Sequence, residues 1–125
     1  LTDVTGFGLA GHLLEIARGA NLTAHIQWAD VPLLPNVSGL LKDGHVTGAS
    51  GRNWEGYGQE INLAKDLPAE CQALLSDPQT SGGLMVSCAP DSVADVLAVF
   101  QRHGFSEAAV VGHMGQVQSS RLMVS

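Results

Sequence analysis

The first twelve residues, Leu1-Thr2-Asp3-Val4-Thr5-Gly6-Phe7-Gly8-Leu9-Ala10-Gly11-His12, constrain this chain more than any other stretch. A carboxylate, two hydroxyls and three glycines stand directly before an apolar-periodic segment. Leu9, Leu13, Ile16 and Ala20 recur at helical spacing, which predicts one buried helix face. Thr5 or Gly6 is the expected N-cap and Gly19 the expected stop. Asp3 then sits just ahead of a helix start, where unpaired amides and the dipole favour anions. A carboxylate at such a corner stays ionised and can hold a hard cation, with metal-bound phosphate as the natural partner.

Gly6-x-Gly8-x-x-Gly11 also matches the dinucleotide fingerprint, with Asp30 at the expected distance. Two features speak against that reading. No full apolar strand precedes the first glycine, since Thr2-Asp3-Val4-Thr5 is polar at alternate positions. After Asp30 comes Val31-Pro32-Leu33-Leu34-Pro35, which cannot begin a crossover helix cleanly.

Further along, Leu22 to Trp28 alternates as a half-buried strand, and Val31 to Pro35 reads as an extended or turn segment. Val37 to Lys42 is a short helix closed by Gly44. His45 to Tyr57 reads as a long glycine-rich loop carrying Arg52, a possible phosphate contact. Gln59 to Leu63 is a strand and Pro68 to Leu75 a helix. Ser76-Asp77-Pro78-Gln79-Thr80-Ser81-Gly82-Gly83 is a turn-rich octet whose hydroxyls and amides could face an anion. Leu84 to Cys88 follows as a buried strand. Asp91 to His103 is a helix with Val93, Val96, Leu97 and Phe100 on its apolar face, ended by Gly104. Ala108 to Met114 is a strand, and Arg121 to Val124 pairs back across Gly115 as an edge. Strands interrupted by helices of unequal length predict an α+β or layered α/β domain.

The 125 residues suffice for a single domain with its own core, which should be aliphatic because aromatics make up only 5%. A net charge of −6 argues against nucleic acid and anionic membrane as partners. With only six Lys and Arg residues, the chain would need metal ions or a basic partner to hold a polyphosphate. No apolar run approaches the roughly 18 residues a spanning helix needs. Cys71 and Cys88 read as two buried thiols of a reducing, cytoplasmic compartment. The five histidines are scattered, with no zinc spacing, and no catalytic triad can be assembled. The chain opens inside a motif without an initiator Met, so a piece of a longer protein is expected.

The opening Thr-Asp-Val-Thr-Gly-Phe-Gly-Leu-Ala-Gly-His and, above all, Leu75-Ser76-Asp77-Pro78-Gln79-Thr80-Ser81-Gly82-Gly83-Leu84 resemble the selenophosphate synthetases (selenide, water dikinases). These are relatives of aminoimidazole ribonucleotide synthetase. The likeness is to the C-terminal domain and runs over the whole chain; Gly51-Arg52-Asn53 is similar as well. It implies a three-layer α/β/α domain with a mixed sheet and partial ferredoxin-like topology. It also implies a reaction in which ATP, selenide and water give selenophosphate, AMP and orthophosphate with Mg2+. The ATP site, most magnesium-binding aspartates and the reactive Cys or selenocysteine would lie in an N-terminal domain absent from this chain. By position in the motif, Asp3 is then the magnesium ligand this domain supplies. Thr5, Gly6, Gly8, Arg52, Thr80 and Ser81 are candidates for contacts to the nucleotide phosphates or selenide. The same resemblance implies that the chain is inactive alone, and that the full-length protein dimerises through the missing half, leaving this part monomeric. The alternatives are a non-catalytic or hydrogenase-maturation-like module of the same superfamily, and the dinucleotide-binding domain already weighed. The chain ends Leu122-Met123-Val124-Ser125, without the C-terminal cysteine of the maturation relatives.

Overall fold

The computed structural model describes residues 1–125 as an α+β domain with a mixed sheet. Its first helix, α1 (Gly8–Ala20), buries Ala10, Leu13, Leu14 and Ala17, spaced for one helix face. That stripe is rotated from the expected one: Leu9 and Ile16 are half-buried and Ala20 is exposed. Small residues at 10 and 17 let the helix lie close on the sheet, so packing rather than side-chain bulk chose the face. Phe7, not Thr5 or Gly6, is the N-cap, and it makes no side-chain cap bond. Asn21, not Gly19, ends the helix in a left-handed turn (φ 53°), with the Leu22 N–H donating to the Ala17 carbonyl.

The four-stranded sheet beneath α1 contains β2 (Thr23–Ile26), β3 (Ile61–Leu63), β5 (Gly112–Gly115) and β6 (Leu122–Val124), in the order β3-β6-β2-β5. β6 runs parallel to both β2 and β3, whereas β5 is antiparallel to β2. Thus β6 is an interior strand, not an edge pairing back across Gly115. Leu122 and Val124 are almost inaccessible in the core beside Ala24 and Ile26, and such burial suits an apolar run in a parallel pairing. The 108–114 strand is correspondingly shorter and later than expected.

The predicted loop at 45–57 is mostly helix. α3 (Gly48–Tyr57) starts at Thr47, whose hydroxyl accepts the Ser50 N–H at 3.2 Å. Its glycines cost helix stability, about 1 kcal/mol each relative to alanine. Packing offsets this: Trp54 and Tyr57 dock on the core, and Ser50 is buried against α4 (Cys71–Leu75). α4 brings Cys71, Leu74 and Leu75 into the interior.

Apart from the large sheet lies a small ladder, β1 (Thr2–Asp3) antiparallel to β4 (Leu84–Met85). β1 therefore does not lead into the sheet that contains β2, so the glycine pattern after it does not open a Rossmann unit. β4 is also shorter and more exposed than the buried strand expected over 84–88. Two short helices lie outside the core, α2 (Val37–Lys42) and α5 (Val93–Arg102), and neither contains a fully buried residue. α5 ends on Gly104 at φ 87°, with the Phe105 N–H donating back to the Phe100 carbonyl. No helix is long and apolar enough to cross a membrane.

Candidate functional site

The opening stretch and the turn-rich octet, more than sixty residues apart, form one unit. Asp3 is the register partner of Leu84, the Val4 N–H donates to the Gly83 carbonyl, and the Gln79 N–H donates to the Thr5 carbonyl. Two glycines permit this approach. A Cβ on Gly82 would lie 2.0 Å from the Val4 carbonyl oxygen. Gly8 has φ +70°, and a Cβ there would come within 2.8 Å of the Leu75 carbonyl oxygen. Gly8 is thus required by the fold itself, as the first residue of α1 wedged against the backbone of 75–77.

Of the candidate residues, Asp3, Thr80 and Ser81 are exposed on this unit. None of their side chains takes part in a hydrogen bond or ion pair within the chain; the Asp3 backbone carbonyl accepts the Thr2 hydroxyl. Asp3 ends a two-residue strand, five positions before the first helical residue. Thr5 is held instead. Its N–H donates to Nε2 of His12 at 3.0 Å, and its hydroxyl lies 3.1 Å from the same nitrogen. Because a backbone N–H can only donate, Nε2 must be the unprotonated nitrogen. Nδ1 therefore carries the hydrogen and donates it to Glu15 Oε2 at 3.1 Å. This Glu15–His12–Thr5 chain anchors the link between β1 and α1.

α3 fastens the unit from behind. The Asn53 amide donates to the carbonyls of Gly6 (2.8 Å) and Ser76 (3.0 Å), one in each motif stretch. Both partners are acceptors, so the amide orientation follows from the network. The Ser50 and Ser76 hydroxyls meet at 2.7 Å and cap carbonyls at the end of α4. The Tyr57 hydroxyl donates to the Phe7 carbonyl at 2.6 Å, and burial pushes the phenol up to about 12. His12 and Asn53 stand in the motif stretches without an assigned role, and Ser50 and Tyr57 lie outside the sequence candidates. A signal existed, however: Ser50, Asn53, Trp54 and Tyr57 are spaced i, i+3, i+4, i+7.

Arg52 is exposed on α3 and lines an open pocket of about 290 Å³ with Phe7, Glu15, Arg18, Asn53 and Tyr57. Arg18 is already committed to Glu60, with a 3.2 Å bond from Nε and a second from its terminal nitrogen. That guanidinium holds the Glu60 carboxyl below its ordinary value. Arg52 has no carboxylate partner and is the pocket's uncommitted cation. Burial raises the Asp77 carboxyl above its ordinary value. Cys71 is buried, and its thiol is pushed up to about 11 first by that burial and then by Glu70, so it is no thiolate nucleophile at neutral pH. Cys88, expected to be buried, is exposed.

Asn53→Ala is expected to cost about 1–2 kcal/mol, because the Ser76 carbonyl loses a bond where water has little access. Urea denaturation measures this; an unchanged midpoint would show that Asn53 does not hold the two stretches together.

The chain gathers no group of three or more His, Cys, Asp or Glu side chains that could enclose a cation alone. One exposed, unpartnered carboxylate nevertheless suits magnesium, which takes one or two protein carboxylates and completes its octahedron with phosphate oxygens and water. Asp3 fits that requirement.

Comparison with known proteins gives a consistent result. The family model for the C-terminal domain of AIR synthase related proteins matches residues 1–125. A selenide, water dikinase of Paraburkholderia xenovorans is 61% identical over 114 residues, 91% of this chain. Those of Dechloromonas aromatica and Rhizobium meliloti are 51% and 46% identical over 93% and 90% of it. The chain spans about a third of the length of these relatives.

Proposed function

This chain belongs to the AIR synthase related family as its C-terminal domain, and from that premise we propose that it is the C-terminal part of a selenide, water dikinase. The full-length protein would convert ATP, selenide and water into selenophosphate, AMP and orthophosphate in the cytoplasm. An N-terminal domain would hold most of the nucleotide and the reactive Cys or selenocysteine, and would form the homodimer. The observation that carries this reading is the exposed carboxylate of Asp3, free of internal partners, on a unit built jointly by the two motif stretches.

Asp3 would provide one ligand to a magnesium ion arriving with ATP. Bound there, magnesium would neutralise phosphate oxygens whose charge grows during phosphoryl transfer. The remaining roles belong to the protein. Thr80 and Ser81 hydroxyls would donate to phosphate or selenide, and Arg52 would add the positive charge that an acidic chain otherwise lacks. Thr5, Gly6 and Gly8 would act mainly through backbone shape. The His12 and Asn53 bonds keep that shape from relaxing when charge is brought in, so little reorganisation is needed at the moment of reaction.

The full-length protein should release AMP and orthophosphate from ATP only when selenide is supplied, followed by 31P NMR together with selenophosphate. ATP consumption indifferent to selenide would contradict the assignment.

A further inference from the structure

Two histidines that stand far apart in the sequence meet at the edge of the large sheet. His25 in β2 is the register partner of His113 in β5, the edge strand. Their rings are parallel within 3°, with centroids 4.8 Å apart. Ala24 and Ile26, on either side of His25, face the core, so strand alternation places both imidazoles on the opposite face. None of the four ring nitrogens takes part in a hydrogen bond or ion pair within the chain.

A cavity of about 150 Å³ opens beside the pair, lined by His25, Ile26, Gln27, His113 and Ser125. Gln27 Oε1 accepts the Ser125 hydroxyl at 2.6 Å and keeps a second lone pair. Two uncommitted imidazoles beside an amide oxygen form a donor set for borderline divalent ions, Ni2+, Cu2+ or Zn2+, rather than for Mg2+. We propose that His25 and His113 form a transition-metal site distinct from the carboxylate site at Asp3.

Binding requires the two rings to turn on fixed backbones. Bonds of about 2.0–2.1 Å at a tetrahedral angle place two ligand nitrogens roughly 3.3 Å apart. Each metal–nitrogen bond lies in the plane of its ring, so the two imidazoles, now parallel with centroids 4.8 Å apart, must rotate about their side-chain torsions until their planes converge on the ion. The paired backbones fix both Cα positions in advance, which lowers the ordering cost of binding. An ion held across the pair would also fasten the edge strand β5 to β2.

The test is to titrate Ni2+ into the nucleotide-free full-length protein by calorimetry, with His25→Asn, His113→Asn, His45→Asn and His103→Asn alongside. Circular dichroism without metal checks that each variant is folded. One class of Ni2+ sites should weaken at least tenfold in His25→Asn and in His113→Asn, and stay unchanged in the other two. Wild-type protein should also show a Ni2+-dependent rise in Tm that both pair variants lose. Equal Ni2+ affinity in all five proteins, or no stoichiometric Ni2+ uptake by the wild type, would overturn the proposal.

Discussion

Replacing Asp3 by asparagine in the full-length protein is expected to reduce selenide-dependent AMP formation by about 100-fold or more. Stability should change by no more than about 0.5 kcal/mol, because the side chain is exposed and bonded to nothing else in the chain. Asparagine keeps size and one oxygen but removes the negative charge, the property a magnesium ion selects. The loss should be partly relieved by raising the Mg2+ concentration if Asp3 helps to hold the ion. Steady-state assays across a Mg2+ series, with urea denaturation in parallel, separate this from a folding defect. Near-normal turnover in the variant would remove Asp3 from the site.

Gly8→Ala is expected to be strongly destabilising, costing roughly 2–5 kcal/mol. Two effects combine. Alanine at φ +70° pays about 1–2 kcal/mol for a left-handed backbone, and overpacking against fixed backbone adds about 1–3 kcal/mol. The atoms it would meet are the Leu75 carbonyl oxygen, the Ser76 carbonyl carbon and the Asp77 carbonyl oxygen, none of which can rotate away. Gly19→Ala is the matched control, since a Cβ there meets nothing within 4 Å and removes a helical glycine. It should be neutral or stabilising by up to about 1 kcal/mol. Urea midpoints of the two variants give the comparison. Equal stabilities would mean that α1 does not abut residues 75–77 as described.

These two glycines show where reading the chain succeeds and where it stops. Glycine at 8 was readable as a ligand-approach residue within a motif, but its contact partner lies near residue 75. No local spacing encodes that contact. The same holds for the β1–β4 ladder: two residues per strand are too few for alternation to register. The amphipathic helices α1 and α5 and the strand β2 were legible because each carries a long periodic or alternating pattern. Even so, the buried stripe of α1 turned towards its small residues once the sheet lay beneath it. α3 was hidden by its glycines, because propensity weighs each residue separately whereas the fold uses Ser50, Asn53, Trp54 and Tyr57 together as a docking face. Nearness in sequence to β5 suggests an edge position for β6, but the fold inserts it between β2 and β3. Its three apolar residues suit an interior parallel strand just as well. At the site, the chemistry of Asp3, Thr80 and Ser81 could be read from residue types and family resemblance. The His12 and Asn53 fastenings could not, because each depends on which carbonyl or amide the fold brings within 3 Å.

The central claim is that the Asp3 carboxylate contributes a ligand to a nucleotide-borne cation. Its most direct test is Mn2+ binding to the full-length protein in the presence of ATP, measured by electron paramagnetic resonance for wild type and Asp3→Asn. The variant should bind one Mn2+ fewer per active site, or bind that ion at least tenfold more weakly, while remaining folded. Identical Mn2+ stoichiometry and affinity in the two proteins would contradict it.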